Sequence, residues 1–292
     1  MSAHLEVLEP GLLTTVQDLG RPGYAHWGVS RSGAADRASA RLANRLVANP
    51  EGTACLEVTL GGLRVRAGGD LVLAATGAPC PAVAAGMDVA TNAAFELPSG
   101  HELTLAAPDR GLRTYLAVRG GLDVTAVLGS RATDLLGGLG PPIVSSGDRL
   151  AVGDASADFP PVDHAAVREI PQGEVELRVR FGPRADWFTP AARERLVTEP
   201  WVAGADSNRI GLRLSGPHLE RRITDELPSE GLVRGALQVP PTGAPTIFLA
   251  DHPVTGGYPV IAVVLDEDVD LAAQIRPGQT VRLRAVGGTP AV

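Results

Sequence analysis

Val175-Glu176-Leu177-Arg178-Val179-Arg180-Phe181 alternates apolar and mostly charged side chains over its whole length. A β-strand with one buried face has this period of two, because successive side chains point to opposite faces of the sheet. Similar alternation recurs at residues 56–60, 71–73, 102–105, 112–118 and 281–284. Turn-forming residues, 35 glycines and 24 prolines, separate these runs at short intervals. Many short strands separated by turns predict an all-β fold, a barrel or a sandwich, with a few short helices.

Three short helices are expected beside the strands. Residues 34–48 carry an apolar stripe at helical spacing, with Ser32 as a candidate N-cap and Asp36 in the first turn. The second helix covers about residues 189–197 and begins with a Thr-Pro pair, a threonine cap followed by proline at the first helical position. The third helix covers residues 268–274 and stops before a Pro-Gly pair.

The chain of 292 residues is long enough for two domains, and a proline-containing stretch at residues 158–173 without clear periodicity is the best candidate for their boundary. We expect an N-terminal β domain at residues 1–165 and a C-terminal β-barrel domain at residues 172–292. Within the second domain, Val260-Ile261-Ala262-Val263-Val264-Leu265 is continuously apolar, which predicts a strand that is buried on both faces.

The chain contains no lysine, so all 26 of its basic residues are arginines. This composition excludes a phosphate-binding Walker A loop, whose lysine contacts the β- and γ-phosphates. It also excludes a Schiff-base lysine and covalently attached biotin on this chain, because each requires a lysine amine. We therefore expect no covalently bound cofactor.

Charge and hydropathy limit the partners and the compartment. The formal net charge is −7, and a mildly acidic chain argues against nucleic acid as a partner, since phosphate binding requires a basic face. No run of about 18 apolar residues is present, so no contact with the membrane interior is expected. Residues 1–6 lack the basic start and apolar stretch of a signal peptide, and we expect a cytoplasmic protein.

No metal site is predicted. The two cysteines, Cys55 and Cys80, do not form a Cys-x-x-Cys motif and are expected to be buried apolar residues. The six histidines show none of the spacings that are typical of metal ligands.

The first cluster of chemically capable residues lies at residues 14–24, in a loop with two glycines and a proline. Arg21 offers a planar fork that matches a carboxylate or a phosphate. Asp18 is a candidate to orient this arginine or to act as a base. The structural alternative is an Asp18–Arg21 ion pair that only holds the loop together.

The second cluster lies at residues 206–216, where Arg209 is a candidate anion contact. It precedes a predicted strand, and Gly211 within that strand indicates a close approach of backbone. The structural alternative is a turn pair between Asp206 and Arg209.

The third cluster lies at residues 226–259, between and beside two apolar strands. Asp251, Thr255 and the pair Gly256-Gly257 offer a carboxylate, a hydroxyl and exposed backbone amides, a combination that suits a small ligand. Gln238 is placed to hydrogen-bond an amide or a lactam from the neighbouring strand. The structural alternative is a tight hairpin at the glycine pair.

Seven stretches, in this order, resemble the family of 5-oxoprolinase C-type subunits, also described as the KipA or allophanate-hydrolase-subunit-2 family and related to biotin-dependent carboxyltransferases. They are residues 14–23, 32–34, 42–47, 56–60, 128–134, 228–231 and 255–259. The similarity covers nearly the whole chain. One departure is visible, since the family often has Asp-Arg-Gln-Thr-Thr-Gly-Gly-Tyr where residues 251–258 read Asp-His-Pro-Val-Thr-Gly-Gly-Tyr.

The resemblance implies two cyclophilin-like β-barrel domains. It also implies one subunit of a bacterial ATP-dependent 5-oxoprolinase, which converts 5-oxo-L-proline, ATP and water to L-glutamate, ADP and phosphate. The implied partners are a KipI-like subunit and a LamB/YcsF-like subunit, and ATP is a cosubstrate of the complex. Without lysine, this chain has only arginines, backbone amides and hydroxyls to stabilise negative charge, so the nucleotide is expected mainly on the other subunits.

We expect the three clusters to meet in one cleft that binds a small carboxylic or lactam substrate, because loops at the mouth of a barrel commonly build sites. The predicted catalytic residues are Asp18 and Asp251. The predicted substrate-binding residues are Arg21, Arg209, Gln238, Thr255, Gly256, Gly257 and Tyr258.

Two other functions remain open at this point. Some relatives are described as antagonists of a kinase inhibitor, which implies a regulatory module that binds its KipI-like partner. Other relatives form half of a carboxyltransferase that acts with a biotin carrier on urea or another amide. A self-contained version of the latter is disfavoured, because this chain has no lysine for biotin.

Overall fold

The computed structural model describes residues 3–155, 158, 165–167 and 169–287. They form two compact units. Unit 1 comprises Met1–Arg21, Ser32–Asp134 and Gly138–Ile170, and unit 2 comprises Pro22–Arg31, Leu135–Gly137 and Pro171–Val292. Residues 159–164 and 168, within the expected boundary stretch, lie outside the described residues. The domain limits 1–165 and 172–292 stay a prediction.

Unit 1 is built from two antiparallel sheets. Its strands are β1 (His4–Pro10), β2 (Leu13–Gln17), β3 (Cys55–Thr59), β4 (Leu63–Ala67), β5 (Leu71–Gly77), β6 (Ala82–Ala84), β7 (Met87–Asp88), β8 (Ala94–Leu97), β9 (Glu102–Leu105), β10 (Arg113–Val118) and β11 (Arg149–Ala151). The six-stranded sheet has the order β11-β1-β4-β9-β6-β7, and the five-stranded sheet has the order β2-β3-β10-β5-β8.

Strand β4 shows how the alternation in the sequence builds the core of unit 1. Leu63, Val65 and Ala67 are buried and belong to the apolar cluster that unites residues of both sheets. Arg64 and Arg66, between them, are partly exposed and pair with glutamates of neighbouring strands. One face of the strand therefore faces the core and the other faces solvent, as its period of two predicts.

Helix α1 (Arg37–Leu46) packs its small side chains, Ala40 and Ala43 among them, on the five-stranded sheet. Its N-cap is Asp36, whose Oδ1 accepts a hydrogen bond of 2.9 Å from Ser39 N. The expectation of Ser32 as cap was wrong, because the helix begins only at Arg37 and Ser32 has a positive φ of 53°. An aspartate oxygen beside the first free amides satisfies them as well as serine would.

Unit 2 is a closed barrel with two short helices and a two-stranded ribbon. Its elements are β12 (Val175–Phe181), α2 (Pro190–Thr198), β13 (Trp201–Ala203), β14 (Gly211–Ser215), β15 (Glu230–Gly231), β16 (Ala236–Gln238), β17 (Thr246–Phe248), β18 (Thr255–Gly256), β19 (Val260–Val264), α3 (Asp266–Ala272) and β20 (Thr280–Ala285). The barrel order is β12-β19-β16-β17-β14-β13-β20, and β15 pairs with β18 outside it. Strands β12 and β20 close the barrel as a parallel pair.

The prediction of a mainly β chain with a few short helices is confirmed. Helix α2 begins as predicted, since Thr189 accepts a hydrogen bond from Ala192 N at 3.2 Å and proline follows it. Helix α3 starts two residues earlier than predicted, at Asp266, because acidic residues favour the positive end of a helix. Among the described residues, no helix is both long and apolar enough to cross a membrane.

Candidate functional site

Three neighbouring barrel strands place a row of chemically capable side chains on one face. In the antiparallel ladders, Thr246 of β17 lies opposite both Gln238 of β16 and Arg213 of β14. Residues that lie opposite each other in a sheet share a face, so these three side chains point to the same side. Phe248 lies two positions after Thr246 on β17, and Gly211 lies two positions before Arg213 on β14. These two residues also lie opposite each other on this face.

The other face of the same strands forms the barrel core. Leu212, Leu237 and Ile247 lie opposite one another in the next row, and each is at most 1% exposed. Since the side-chain period of a strand is two, filling the barrel with these residues directs their neighbours outward. The Gln238 row therefore lies on the outer wall of the barrel.

A cavity of about 230 Å³ opens on this outer wall. We call it the Gln238–Tyr258 cavity, and it is lined by Ile210, Gly211, Arg213, Gln238, Pro240, Thr246, Phe248 and Tyr258. Apart from Arg213, its side chains are uncharged. A small cavity with apolar walls and a few polar groups is the ordinary form of a site for a small molecule.

Gln238 is held in one orientation at this cavity. A register shift between Leu237 and Gln238 interrupts the ladder with β19, and such bulges re-aim the side chain that follows. The Gln238 Nε2 atom donates a hydrogen bond of 2.9 Å to the Tyr258 carbonyl oxygen. The Gln238 Oε1 atom accepts no hydrogen bond from the described residues. The side chain therefore presents an acceptor that suits an N–H donor of a ligand.

The β15–β18 ribbon packs against Gln238. A Cβ atom on Gly256 would lie 2.7 Å from Gln238 Nε2 and 2.8 Å from Leu232 Cδ1, whereas a Cβ on Gly257 would have Leu227 O as its nearest neighbour at 3.5 Å. Gly256 therefore permits the close approach of the ribbon, and Gly257 is not required for it. The tight-hairpin alternative is wrong, because Gly256 pairs with Glu230, which is distant in sequence.

Arg209 and Asp251 form a buried ion pair in unit 2. Arg209 Nε and Nη2 donate hydrogen bonds of 2.9 Å to the two carboxylate oxygens, and the side chains are 1% and 0% exposed. Asp251 Oδ2 also accepts a hydrogen bond of 3.2 Å from Leu135 N. The pair extends the β14–β17 ladder, since Asp251 N donates to Arg209 O at 3.0 Å.

Asp18 and Arg21 hold a single loop segment in unit 1. Asp18 accepts hydrogen bonds from Gly20 N, Ser130 Oγ and Arg131 N, at 2.7, 2.7 and 2.6 Å. Arg21 donates from Nη2 to the Ala132 carbonyl, and its Nη1 lies 3.6 Å from Asp134 Oδ2 in a fully buried ion pair. These contacts fasten residues 130–134 beside the end of β2.

A second cavity, in unit 1, is larger and more polar. Its volume is about 550 Å³, and its lining consists of Asp18, Pro50, Gly52, Thr53, Ala54, Gly120, Leu122, Asp123, Arg131, Val152, Gly153 and Asp154. Arg131 partly balances its carboxylates, with Nη2 3.5 Å from Asp123 Oδ1. The described residues contain no group of three or more His, Cys, Asp or Glu residues arranged to hold a metal ion.

A buried polar row crosses the five-stranded sheet beneath α1. Thr15, Glu57, Tyr115 and Thr76 lie opposite one another on adjacent strands and are at most 1% exposed. Glu57 Oε2 accepts hydrogen bonds from Tyr115 Oη at 2.8 Å and from Ala35 N at 2.9 Å. Burial, together with the nearby Glu57 charge, raises the pKa of the Tyr115 hydroxyl well above its usual value.

Comparison with known proteins decides the family. The sequence-family model of the carboxyltransferase domain, subdomains A and B, matches residues 27–285. The chain belongs to this carboxyltransferase-domain family.

Relatives of this carboxyltransferase-family chain include a 5-oxoprolinase subunit and a urea amidolyase. The C-type subunit of 5-oxoprolinase from Escherichia coli K12 is 39% identical over 280 residues, which are 95% of this chain and 89% of that protein. Urea amidolyase of Saccharomyces cerevisiae is 31% identical over 95% of this chain, which covers 16% of that protein. The crystal structure of TTHA0988 matches 97% of this chain with a TM-score of 0.88 and 37% identity, and the chain spans 55% of its length. The resemblance inferred from the sequence motifs is confirmed.

In this carboxyltransferase-family chain, the residues predicted for the site fall into three groups. Gln238 and Tyr258 line the cavity in unit 2, Gly256 packs on Gln238, and the exposed Thr255 and Gly257 flank it on the ribbon. Arg209 and Asp251 form their own buried pair in unit 2. Asp18 and Arg21 belong to unit 1. The convergence of all these residues in one cleft stays a prediction.

Neither structural alternative proposed for the two arginines describes their contacts. Arg21 pairs with Asp134, and Arg209 pairs with Asp251, whereas Asp206 pairs with Arg213 at 3.1 Å. The sequence suggested nearby partners because turn pairs are the commonest local arrangement. The actual partners are 113 and 42 residues away in sequence, where local reasoning has no signal.

Sequence reasoning missed Arg221 and Phe248. Phe248 stands at the end of a recognisable apolar strand, and its position two residues from Thr246 would have placed it on the same face. Arg221 lies outside the strands, in an Arg-Arg pair that no pattern distinguishes from a solvated surface. Its guanidinium Cζ lies 6.0 Å from the centroid of the Tyr258 ring.

His252, which stands where the family often has arginine, is buried with Nδ1 2.8 Å from Pro253 O.

Proposed function

We propose that this chain is one component of an ATP-dependent 5-oxoprolinase that opens 5-oxo-L-proline to L-glutamate. The observation that carries the proposal is the match of 95% of this chain to 89% of the C-type subunit of 5-oxoprolinase at 39% identity. The match therefore spans nearly all of both chains.

The Gln238–Tyr258 cavity supports a lactam as the substrate class. Its volume of about 230 Å³ suits a single small ring, and its walls include Phe248, Pro240 and Tyr258. A lactam presents one N–H donor and one carbonyl acceptor. In our proposal the lactam N–H donates to Gln238 Oε1, because Gln238 Nε2 already donates to Tyr258 O.

In this proposal, the carboxylates of Asp251 and Asp18 hold nearby backbone and side-chain groups in position. Asp251 accepts two hydrogen bonds from Arg209 and one from Leu135 N, so its carboxylate is fully engaged in holding these groups. Asp18 likewise accepts three hydrogen bonds. The catalytic roles expected for Asp18 and Asp251 stay predictions, and this geometry favours positioning over proton transfer.

The partners in this proposal are a KipI-like subunit and a LamB/YcsF-like subunit, and ATP is the cosubstrate. ATP would activate the lactam oxygen by phosphorylation, which requires cations or backbone amides around the developing charge. This chain has no lysine to supply there. We therefore assign most of the nucleotide contacts to the other subunits.

Reconstitution tests this function. The chain is co-expressed with its KipI-like and LamB/YcsF-like partners, and glutamate release from 5-oxo-L-proline is measured with and without ATP. We expect ATP-dependent release of one glutamate per ADP formed. A complex that assembles and releases no glutamate would refute the proposed reaction.

A second candidate is half of a carboxyltransferase that acts on urea or a related amide. The observations that favour it are the family model and the 31% identity to urea amidolyase over 95% of this chain. Its biotin would be carried by another protein, because this chain has no lysine. The test is the transfer of carboxylate from carboxybiotin to urea by the same reconstituted complex, and transfer in place of glutamate release would favour this candidate.

A further inference from the structure

Arg221 contacts residues at the edge of the Gln238–Tyr258 cavity. Its Nη2 donates a hydrogen bond to the Val239 carbonyl oxygen, one residue from Gln238. Its guanidinium Cζ lies 6.0 Å from the centre of the Tyr258 ring, whose residue lines the cavity. A guanidinium beside an aromatic face is held by a cation–π interaction, which uses none of its N–H groups. The Arg221 Nε atom is buried and has no hydrogen-bond partner among the described residues.

The charge of Arg221 is not balanced by a carboxylate. Within the described part of the chain, no Asp or Glu oxygen forms an ion pair with it, whereas the cavity residue Arg213 pairs with Asp206 at 3.1 Å. Partial burial lowers the pKa of the Arg221 guanidinium, and the Tyr258 hydroxyl acts in the opposite direction. A partly desolvated cation without a counter-ion is stabilised by any anion that reaches it.

We propose that Arg221 binds the carboxylate of an acidic lactam whose ring occupies the Gln238–Tyr258 cavity. This assignment rests on the proposed function and gives the carboxylate contact to a residue other than the predicted Arg21 and Arg209. Arg209 already makes two hydrogen bonds to Asp251, and the Arg21 side chain is fully buried beside Asp134, so a ligand reaches neither guanidinium. Gln238 then recognises the ring N–H that all such lactams share, and Arg221 recognises the carboxylate that distinguishes 5-oxo-L-proline from simple lactams.

Arg221 is a specificity residue in this proposal. Urea and simple lactams have no carboxylate, so the arginine contributes nothing to their binding. A lactam with a carboxylate, such as 5-oxo-L-proline, loses its charge-assisted hydrogen bond to the guanidinium when Arg221 is replaced. The test is therefore a comparison of ligands with and without the carboxylate.

The experiment uses the reconstituted complex with three variants of this chain. Arg221→Ala removes the charge, Arg221→Lys keeps the charge without the planar fork, and Arg222→Ala is the matched control. Arg222 is exposed and donates to the Asp186 carbonyl at 3.1 and 2.9 Å. KM and kcat for 5-oxo-L-proline are measured, together with inhibition by 2-pyrrolidinone, the same lactam ring without the carboxylate.

We expect Arg221→Ala to raise KM for 5-oxo-L-proline by about 10- to 100-fold, the range for one hydrogen bond to a charged group. Arg221→Lys should lie between wild type and Arg221→Ala. Inhibition by 2-pyrrolidinone should be equal in all of them, and Arg222→Ala should match wild type. Since a misfolded cavity would weaken both ligands together, equal inhibition by the neutral lactam distinguishes lost recognition from lost structure.

Two results distinguish a failure of the Arg221 carboxylate subsite from a failure of the proposed 5-oxoprolinase function. If the wild-type complex is active and Arg221→Ala leaves KM unchanged, the subsite is wrong and the function stands. If the wild-type complex does not hydrolyse 5-oxo-L-proline, the function fails, and binding of 5-oxo-L-proline to the complex is measured by ligand-observed NMR. Binding that Arg221→Ala abolishes then supports the subsite, and binding that is absent or unaffected overturns it.

Discussion

At the scale of single residues, unit 2 depends on the pair of Arg209 and Asp251. Two charges that are at most 1% exposed carry a large desolvation penalty, and their bidentate hydrogen bonds offset it. Removing one charge leaves the other buried without its main counter-ion. The exposed pair of Arg213 and Asp206, with side chains 47% and 68% exposed, lacks this penalty.

Asp251→Asn should therefore destabilise the chain strongly, by about 3–5 kcal/mol, because the buried Arg209 charge loses its carboxylate. The measurement is urea-induced unfolding followed by fluorescence. Asp206→Asn is the matched control and should change stability by less than about 1 kcal/mol. Equal effects of the two substitutions would contradict the buried-pair argument.

Cys55 provides a pH prediction at the same scale. Burial raises the pKa of its thiol strongly, and the charges of Glu57 and Asp18 add to the effect. The unfolded chain then loses the thiol proton at about pH 8.5 while the folded chain keeps it. Stability is thus fully present below this pH and should fall as pH rises above it, by at most about 1.4 kcal/mol per pH unit for this group.

Urea unfolding at a series of pH values from about 7 to about 10 measures this slope. Cys55→Ala should flatten it. Cys80 also has a raised pKa from burial, so Cys80→Ala is the matched comparison and should flatten it less. A slope that Cys55→Ala does not change would assign the alkaline loss to other groups, Tyr115 among them.

At the scale of elements, the β15–β18 ribbon approaches the Gln238 side chain of the barrel closely at Gly256. Gly256→Ala should force Gln238 or Leu232 to move, because the new Cβ would lie 2.7 and 2.8 Å from their side chains. We expect a loss of about 1–3 kcal/mol in stability and a higher KM in the reconstituted complex. Gly257→Ala, whose Cβ would meet its nearest atom at 3.5 Å, should remain within about 0.5 kcal/mol of wild type.

The polar row beneath α1 is the second element that can be tested. Tyr115→Phe removes a hydrogen bond from the buried Glu57 carboxylate and leaves Asp36 N without the acceptor it uses at 2.8 Å. We expect a loss of about 1–3 kcal/mol in thermal or urea unfolding. Tyr258→Phe is the matched control. Because Tyr258 is 46% exposed, this variant should unfold with the same free energy as the wild type.

At the scale of the whole molecule, the chain should be inactive by itself. It has no lysine for a nucleotide phosphate, and the carboxylates of Asp18 and Asp251 are engaged in hydrogen bonds. We expect no ATP-dependent release of glutamate from the purified chain and full activity after addition of its partners. Sustained turnover by the chain alone, at the rate of the complex, would contradict a divided site.

The sequence by itself determined several of the strands, much of α2 and the excluded chemistries. Alternation at residues 175–181 predicts β12 because the period of a half-buried strand is a local property. The Thr189-Pro190 start of α2 is also local, since the cap and the first helical residue are neighbours. The absence of lysine excludes three classes of chemistry whatever the fold.

Only the tertiary structure decided which residues meet. The partners of Arg21 and Arg209, the pairing of Gly256 with Glu230, and the pairing of Thr246 with Arg213 all join segments far apart in sequence. Arg221 gained its place beside Tyr258 in the same way. The physical reason is that strand order and register depend on how the whole sheet packs, so no local pattern encodes the partner of a given side chain.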